Sequence, residues 1–373
     1  MKILVVGAGF SGAVYARELA ETGHDVTVID RRDHIAGNAY DHLVDGVRIH
    51  KYGPHLFHTS NERVVKWLSR FTDWEPYVHK VRARLESGDL VPFPVNRETV
   101  LHVMGEGPET LPQNMDAAAK AKDARTYLIS QIGDQLTELF FERYTEKMWG
   151  ISLSDMSADV VRRVKIRTDD EDRYFPGDTF QAMPANGYTA VFEAILDHRN
   201  ISVRLNTRFD KAMESKFDHV FNSMAIDEYF DYAFGPLPYR SIRFHHHMTD
   251  EDRSQGHVTI NYTDRSKFTR ETHWHNIPAH RVAPGRYVRT VEEPCSYEDN
   301  DYERYYPVKT SDGRYVEVYR KYQAEAEKLA HRLHFIGRCG TYQYLDMHQV
   351  IMQSLQGVRK FIDCNTPQMA KGH

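Results

Sequence analysis

Lys2-Ile-Leu-Val-Val-Gly7-Ala-Gly-Phe-Ser-Gly12 opens the chain, and Val26-Thr-Val-Ile-Asp30 follows it. The order is strand, glycine turn, helix, strand, acid. Gly7 permits the tight turn and Gly9 lets the backbone approach a pyrophosphate. Gly12 lets the following helix, expected over Ala13–Thr22 and closed by Gly23, pack on the strand with its positive end toward the phosphates. Asp30 stands 30 − 12 = 18 residues beyond the last glycine, in reach of a ribose hydroxyl. Taken together, strand, helix and acid point to a dinucleotide site in an α/β, Rossmann-like unit rather than to a bare turn.

The chain has 373 residues, more than a single hydrophobic core usually supports, so two or three subdomains are expected. A net charge of −5 with no basic block argues against nucleic acid as a partner. Cys295, Cys339 and Cys364 lack metal or disulfide spacing and suit a reducing compartment. The first apolar run is too short for a signal peptide, and no later run nears the roughly 18 residues needed to span a bilayer. The expectation is a cytoplasmic protein with no membrane partner. His245-His246-His247 has no carboxylate or cysteine at ligand spacing and reads as polar strand, so no metal is expected.

Texture changes along the chain. Residues 1–70 are α/β, with a short helix expected at Val64–Phe71. Val81–Leu85 and Leu90–Phe93 flank Ser87-Gly88-Asp89, a hairpin signal. Helices are expected over Ala117–Ile132 and Gln135–Met148 from apolar residues three and four apart. Residues 168–182 are charged, contain Pro176-Gly177 and read as a loop. A helix over Tyr188–Asp197 and strands near Val203 and Val220 restore the α/β texture. Residues 239–318 have the composition of an antiparallel sheet. Arg314–Leu333 reads as helix, His334–Gly337 as strand, His348–Ile362 as helix, and Asn365–His373 as a frayed tail. A nucleotide domain interrupted by a helical insert and a sheet insert accounts for this order.

Four further segments carry chemistry. Tyr52-Gly-Pro-His-Leu-Phe-His-Thr59 sets His55 and His58 three apart, as structural histidines or as site members. Phe140-Phe-Glu-Arg-Tyr-Thr-Glu-Lys-Met-Trp-Gly150 gathers aromatics at a helix end, either as core or as a base-stacking wall. Phe268-Thr-Arg-Glu-Thr-His273 sets an arginine amid strand residues. Gly337-Arg-Cys-Gly-Thr-Tyr-Gln-Tyr-Leu-Asp-Met347 links a strand to the last helix, where backbone donors can meet an anion or a flavin ring.

From Lys2 to about Phe361 these motifs, in this order, resemble the UDP-galactopyranose mutases, flavoenzymes that interconvert the pyranose and furanose forms of a nucleotide-bound sugar. The resemblance implies a mixed α/β protein in three parts. Residues 1–70, 183–230 and 331–373 would form a discontinuous FAD domain, and 97–167 a helical substrate and dimer domain. Residues 71–96, 168–182 and 231–330 would form a twisted antiparallel sheet domain, with 168–180 a mobile lid. It further implies a homodimer, reduced FAD as the active cofactor, and an external reductant such as NAD(P)H.

Residue by residue, Gly7, Gly9, Phe10, Ser11, Gly12, Asp30, Arg31, Gly37 and Asn38 match the contacts to the adenosine and pyrophosphate of FAD. His55 and His58 match the flavin face, and Arg338, Leu345, Asp346 and Met347 the C-terminal flavin clamp. Phe140, Phe141, Tyr144, Thr145 and Trp149 match the pocket for the base. Arg163 and Arg270 match the arginines that hold the diphosphate; read alone, Arg163 beside Arg162 is also consistent with a solvated charge. Tyr174, Tyr306 and Tyr344 match tyrosines around the diphosphate, and Arg240 and Glu293 further site positions. Asn261 fits a nucleotide-side asparagine if one residue is deleted before Arg270.

In the implied mechanism N5 of reduced flavin attacks the anomeric carbon and expels the nucleoside diphosphate. The resulting flavin–sugar adduct opens and recloses through the other hydroxyl. His58 would position the flavin. Departures from the family pattern stand at Ala36, at Asn222-Ser-Met224-Ala-Ile-Asp227, at Arg265-Ser-Lys-Phe268 and at Arg173, the last two near the expected nucleotide and sugar. Another nucleotide sugar (N-acetylated, deoxy or differently based) and an amine-oxidase-like flavin oxidoreductase are the alternatives.

Overall fold

A computed structural model describes residues 1–278, 280 and 283–365. The opening strand, Lys2–Val6, is buried after its first residue and pairs in parallel on both sides, with Asp25–Ile29 and with His219–Asn222. Ile201–Arg204 and Leu333–Phe335 complete a five-stranded parallel sheet, in which Lys2–Val6 is central. Such a sheet is buried on both faces, which explains the unbroken apolar runs. The chain order reverses between Lys2–Val6 and His219–Asn222, so a crevice opens at the carboxyl ends of these two strands.

The first helix spans Phe10–Glu21 and begins three residues earlier than expected. The glycine turn closes at once because Gly12 sits so near Gly7 that a Cβ there would lie 1.9 Å from the Gly7 carbonyl oxygen. The last helix, Met347–Asn365, packs across the first. Residues of the expected frayed tail beyond Asn365 lie outside the described residues.

Over the crevice lies a seven-stranded sheet. Its order is Tyr306–Pro307, Tyr239–Thr249, Tyr287–Ser296, Arg270–His273, Thr259–Tyr262, Val81–Arg84, Leu90–Phe93. Tyr239–Thr249 and Tyr287–Ser296 form its long central pair, and the His245–His247 triplet lies in the first of them. One pairing differs from the antiparallel expectation: Thr259–Tyr262 and Val81–Arg84 run parallel, joining the early hairpin to the later strands. Trp74–Pro76 pairs instead with Phe180–Pro184, which also pairs with Phe57–Thr59. The stretch 71–96 is thus divided between two sheets. The segment read as loop to residue 182 becomes strand at Phe180.

The helical layer is more broken than the periodicity implied. Helices run Met115–Lys120, Ala124–Thr137 and Arg143–Trp149, with a π-turn at Glu138–Glu142. Asp123 ends the first by capping the second, its carboxylate accepting the Thr126 N–H at 2.8 Å. The expected helix over Arg314–Leu333 stops at Lys328 because Leu333 already belongs to the edge strand. Among the described residues no helix is long and apolar enough to cross a membrane.

Candidate functional site

The glycine turn builds the first half of the site. Gly9 caps the first helix without a side chain, so the N–H groups of that turn face outward as anion donors. A Cβ on Gly37 would lie 2.9 Å from the Gly9 Cα, which shows two backbones meeting where a side chain has no room. Asp30 ties the wall together, accepting the Ala8 and Arg32 N–H groups at 2.8 and 2.9 Å. Arg31 and Arg32 both reach Glu303 (2.8 and 2.6 Å), and Arg32 also donates to Asn38 Oδ1 at 3.0 Å. The Ser11 hydroxyl meets that of Ser354 at 3.1 Å, whereas the Phe10 ring turns into the core against Phe192. A glycine cradle, free helix donors and an acid at the strand end fit the pyrophosphate and ribose of a dinucleotide.

Gly9 offers a clean test. Its φ is −83° and a Cβ would meet nothing closer than 3.7 Å, so the protein itself tolerates alanine. The added methyl enters the cradle instead. Gly9→Ala should keep its unfolding temperature without cofactor and lose flavin at least about tenfold in affinity, which titration of the stripped protein measures. Wild-type flavin affinity in that variant would mean that the cradle is not the phosphate site.

The second half converges on the crevice from three directions. Arg163 donates to both carboxylate oxygens of Asp346 (2.8 and 2.9 Å) and lies 4.3 Å over the Tyr344 ring. Arg338 lies 5.0 Å over the same ring from its other neighbourhood and 5.8 Å over Tyr305. From the sheet, Arg270 donates to Glu292 at 2.8 Å. Burial opposes the Arg270 charge, but Glu292 beside it outweighs burial and raises its pKa. Tyr144 and Tyr174 both lie in the field of Arg270 and Tyr344, with their hydroxyls pushed up by burial. Trp149 closes the helical side, edge-on to Tyr306 at 4.7 Å and 5.8 Å from Tyr344.

Three guanidinium groups thus face two carboxylates. Arg270 Nε, Arg338 Nε, Glu292 Oε1 and Asn261 Oδ1 are buried there without partners. Asn261 and Arg270 are cross-strand partners, and Arg270 pairs in register with Glu292, so the three side chains form one rung. The two unpaired Nε donors, with one guanidinium in excess of the carboxylates, suit an anion, and the two unpaired oxygens suit hydroxyl donors on the same ligand.

His55 belongs to this cluster and His58 does not. Burial first, then the nearby Arg338 and Arg270, bring His55 down to about 4, so it is neutral and donates Nδ1–H to the Gly53 carbonyl at 2.9 Å. His58 is stacked on Phe175 at 3.4 Å and bonded to Asp178 at 2.6 Å. His58 thereby anchors the 168–179 segment, with its ring 5.2 Å from that of His348, the residue after the expected clamp.

Other expectations shift by one residue. Glu293 points to the opposite sheet face, among Arg243, His245 and Lys267. Glu292 is the carboxylate at Arg270. Likewise Tyr305 lies in the field of Arg338, Arg270 and Glu292, with its hydroxyl donating to the Tyr52 carbonyl at 2.7 Å, while Tyr306 is buried behind Trp149 with its hydroxyl on the Met148 carbonyl. Strand alternation relative to Arg270 was the missing signal, and it needs the pairing register. Arg240 caps the helix Arg143–Trp149, donating to the Lys147 and Met148 carbonyls at 3.1 Å, and so acts on the helix end rather than on the crevice. Phe140 and Phe141, 2 and 4 % exposed, pack in the helical core against Phe93. Thr145 is buried on the crevice helix, and Leu345 and Met347 pack on the core beside the clamp.

The departures have local reasons. Ala36 adopts φ 72°, the left-handed region that suits glycine. Ser223 takes the place beside Gly7, its hydroxyl on the Val6 carbonyl at 2.7 Å. Arg173 is exposed and pairs with half-buried Glu171 within the same loop.

Residues 139–344 match the model of the UDP-galactopyranose mutase family, and residues 5–71 that of an NAD(P)-binding Rossmann-like domain. A probable UDP-galactopyranose mutase of Klebsiella pneumoniae is 35 % identical, with 96 % of this chain and 94 % of that protein covered. A dTDP-fucopyranose mutase of Escherichia coli is 32 % identical, covering 98 % of this chain and 99 % of its own length. Among solved structures, a reduced UDP-galactopyranose mutase superposes with a TM-score of 0.78 over 97 % of this chain and 94 % of its own, at 16 % identity. That likeness is one of fold.

Proposed function

The chain belongs to the UDP-galactopyranose mutase family, and from that premise we propose that it interconverts UDP-galactopyranose and UDP-galactofuranose with reduced FAD. The observation that carries this reading is the Asn261–Arg270–Glu292 rung, which shares the crevice with Arg163 and Arg338 and leaves the buried Arg270 Nε donor unpaired. Reduced flavin bound along the Gly7–Gly12 cradle would supply the nucleophile that takes the sugar from its diphosphate.

The protein supplies charge and position. Arg270 and Arg163 hold the diphosphate and stabilise the negative charge it gains on leaving. Tyr344 completes the ring of donors around it. Trp149 and Tyr144 hold the base side, so the departed diphosphate stays within reach for return. His55, neutral at physiological pH, presents an unprotonated Nε2 at the crevice without adding positive charge.

The same reading makes the protein a cytoplasmic homodimer that draws electrons from NAD(P)H. It also makes 168–179 a lid. That segment is held at one end by Arg97–Asp170 and at the other by His58–Asp178, with Tyr174 between them in the anion cluster. Amide exchange over 168–179 should slow on adding UDP or its sugar conjugate. Identical exchange at saturating nucleotide would leave a static loop.

A second reading is a deoxysugar on thymidine diphosphate, favoured by the full-length likeness to the dTDP-fucopyranose mutase. One experiment separates them. Dithionite-reduced holoenzyme is incubated with UDP-galactose and dTDP-fucose in either ring form, and the isomers are resolved by chromatography. Conversion of the uridine sugar in the reduced state only, without net consumption of reductant, is the expected result. Conversion of only the thymidine sugar selects the second reading. Stoichiometric use of reductant would point to an oxidoreductase and overturn both.

A further inference from the structure

The turn Arg265-Ser-Lys-Phe268 joins strands Thr259–Tyr262 and Arg270–His273, whose facing ends are Asn261 and Arg270. Lys147 reaches this turn from the helix Arg143–Trp149. Its ammonium donates to three backbone carbonyls, those of Tyr262 (3.3 Å), Asp264 (3.1 Å) and Phe268 (2.7 Å). The Asp264 carboxylate lies 3.7 Å away, and the Lys147 side chain is only 14 % exposed.

An ammonium has three donors at one point and no acceptor, so three converging carbonyls satisfy it completely. A planar guanidinium cannot make that convergence. The helix does not need the contact for its own closure, because Arg240 already takes the carbonyls of its last turn. What the contact does is join two walls of the crevice. One wall carries Tyr144 and Trp149, and the other carries Asn261 and Arg270.

We infer that Lys147 is a positioning residue for the substrate: it fixes the span between the base pocket and Arg270, so that nucleoside and diphosphate are gripped as one rigid frame. The inference rests on the reading of Arg270 as a diphosphate ligand and of Tyr144 and Trp149 as the base wall. Loss of the tether leaves each wall folded and frees the end of the helix Arg143–Trp149 to shift against the sheet, which holds the hairpin on both sides. Ligands that touch one wall should hardly notice. Ligands that bridge both should bind less well.

The test measures the binding of UDP or dTDP, whichever wild type holds more tightly, and of the matching monophosphate, by calorimetry on FAD-loaded protein. In Lys147→Met the diphosphate should weaken by about tenfold or more and the monophosphate by no more than roughly threefold. Lys147→Arg keeps the charge and the fold, and should show the same split, because charge alone does not make the three contacts. It also carries the test should Lys147→Met fail to retain FAD. Equal weakening of both nucleotides, or no change in either, overturns the inference. An Arg270→Ala control separates the two levels. If that variant binds the diphosphate like wild type, the reading of Arg270 has failed. If it does not while both Lys147 variants behave as wild type, only the tether has failed.

Discussion

Arg270→Ala is expected to lower kcat/KM by about 30- to 5,000-fold, equivalent to about 2–5 kcal/mol for removing one partner of a buried charged pair, while FAD remains bound. Two losses combine. The diphosphate loses a donor that the sheet holds in place, and Glu292, whose side chain is 1 % exposed, is left as an uncompensated buried charge. Arg163→Ala should sit at the lower end of that range, because its side chain is 41 % exposed and partly hydrated already. Glu293→Ala should stay within about threefold of wild type, since that carboxylate meets cations on the far face of the sheet. Steady-state turnover of the reduced variants decides the matter. Near-normal turnover in Arg270→Ala, or a large loss in Glu293→Ala, would reverse the assignment of faces.

Acid should unfold the protein well above the carboxylate range. Four histidines, His50, His79, His219 and His280, are 5 % exposed or less and are held neutral chiefly by burial. Burial brings His79 and His280 down to about 3 and His219 to about 4, from an ordinary 6.5, and takes His50 well below that value. His50 accepts the His55 N–H at 3.0 Å, which requires an unprotonated Nδ1; Tyr77 bonds His79 at 3.0 Å and His334 bonds His219 at 2.8 Å; and His280 donates Nδ1–H to the Arg48 carbonyl at 3.0 Å, a bond that burial outweighs. Between pH 6.5 and those lowered values the unfolded chain binds protons that the folded chain refuses. Stability is therefore whole above pH 6.5 and falls as pH drops. At pH 5.5 His79, His219 and His280 cost about 1.4 kcal/mol each, about 4 kcal/mol together, and His50 acts in the same direction, a loss comparable to the whole stability of many domains. Urea midpoints at pH 7.5 and 5.5 test this. A flat profile down to pH 5 would show that these rings accept protons without penalty.

The two halves of the molecule were unequally legible. Around Lys2–Asp30 local rules suffice, because a glycine turn, a strand and an acid at fixed spacing leave one arrangement. The crevice was readable as residue types but not as faces. Glu292 and Glu293 are neighbours, and so are Tyr305 and Tyr306, and only the pairing of Arg270 with Glu292 decides which member of each pair looks inward. Phe140 and Phe141 show the opposite difficulty. An aromatic cluster at a helix end has the same composition whether it faces a ligand or the core, and a π-turn at Glu138–Glu142 rotates these two rings toward Phe93. The break at Asp123 escaped periodicity because its cause is a capping bond, and the parallel junction to Val81–Arg84 because its partners lie far apart in sequence.

The bond between Arg163 and Asp346 gives the crevice an entrance requirement. An arriving anion does not find a bare cation there; it must exchange with a carboxylate already in place. Swapping one singly charged partner for another is nearly neutral in free energy, so chloride and other small monoanions gain nothing by the trade. A ligand gains only if it carries enough charge to take Arg163 from Asp346 and engage Arg270 in the same step. The resident carboxylate thus works as a threshold on ligand valence, since it leaves the cleft only one cation in excess for small monoanions to find.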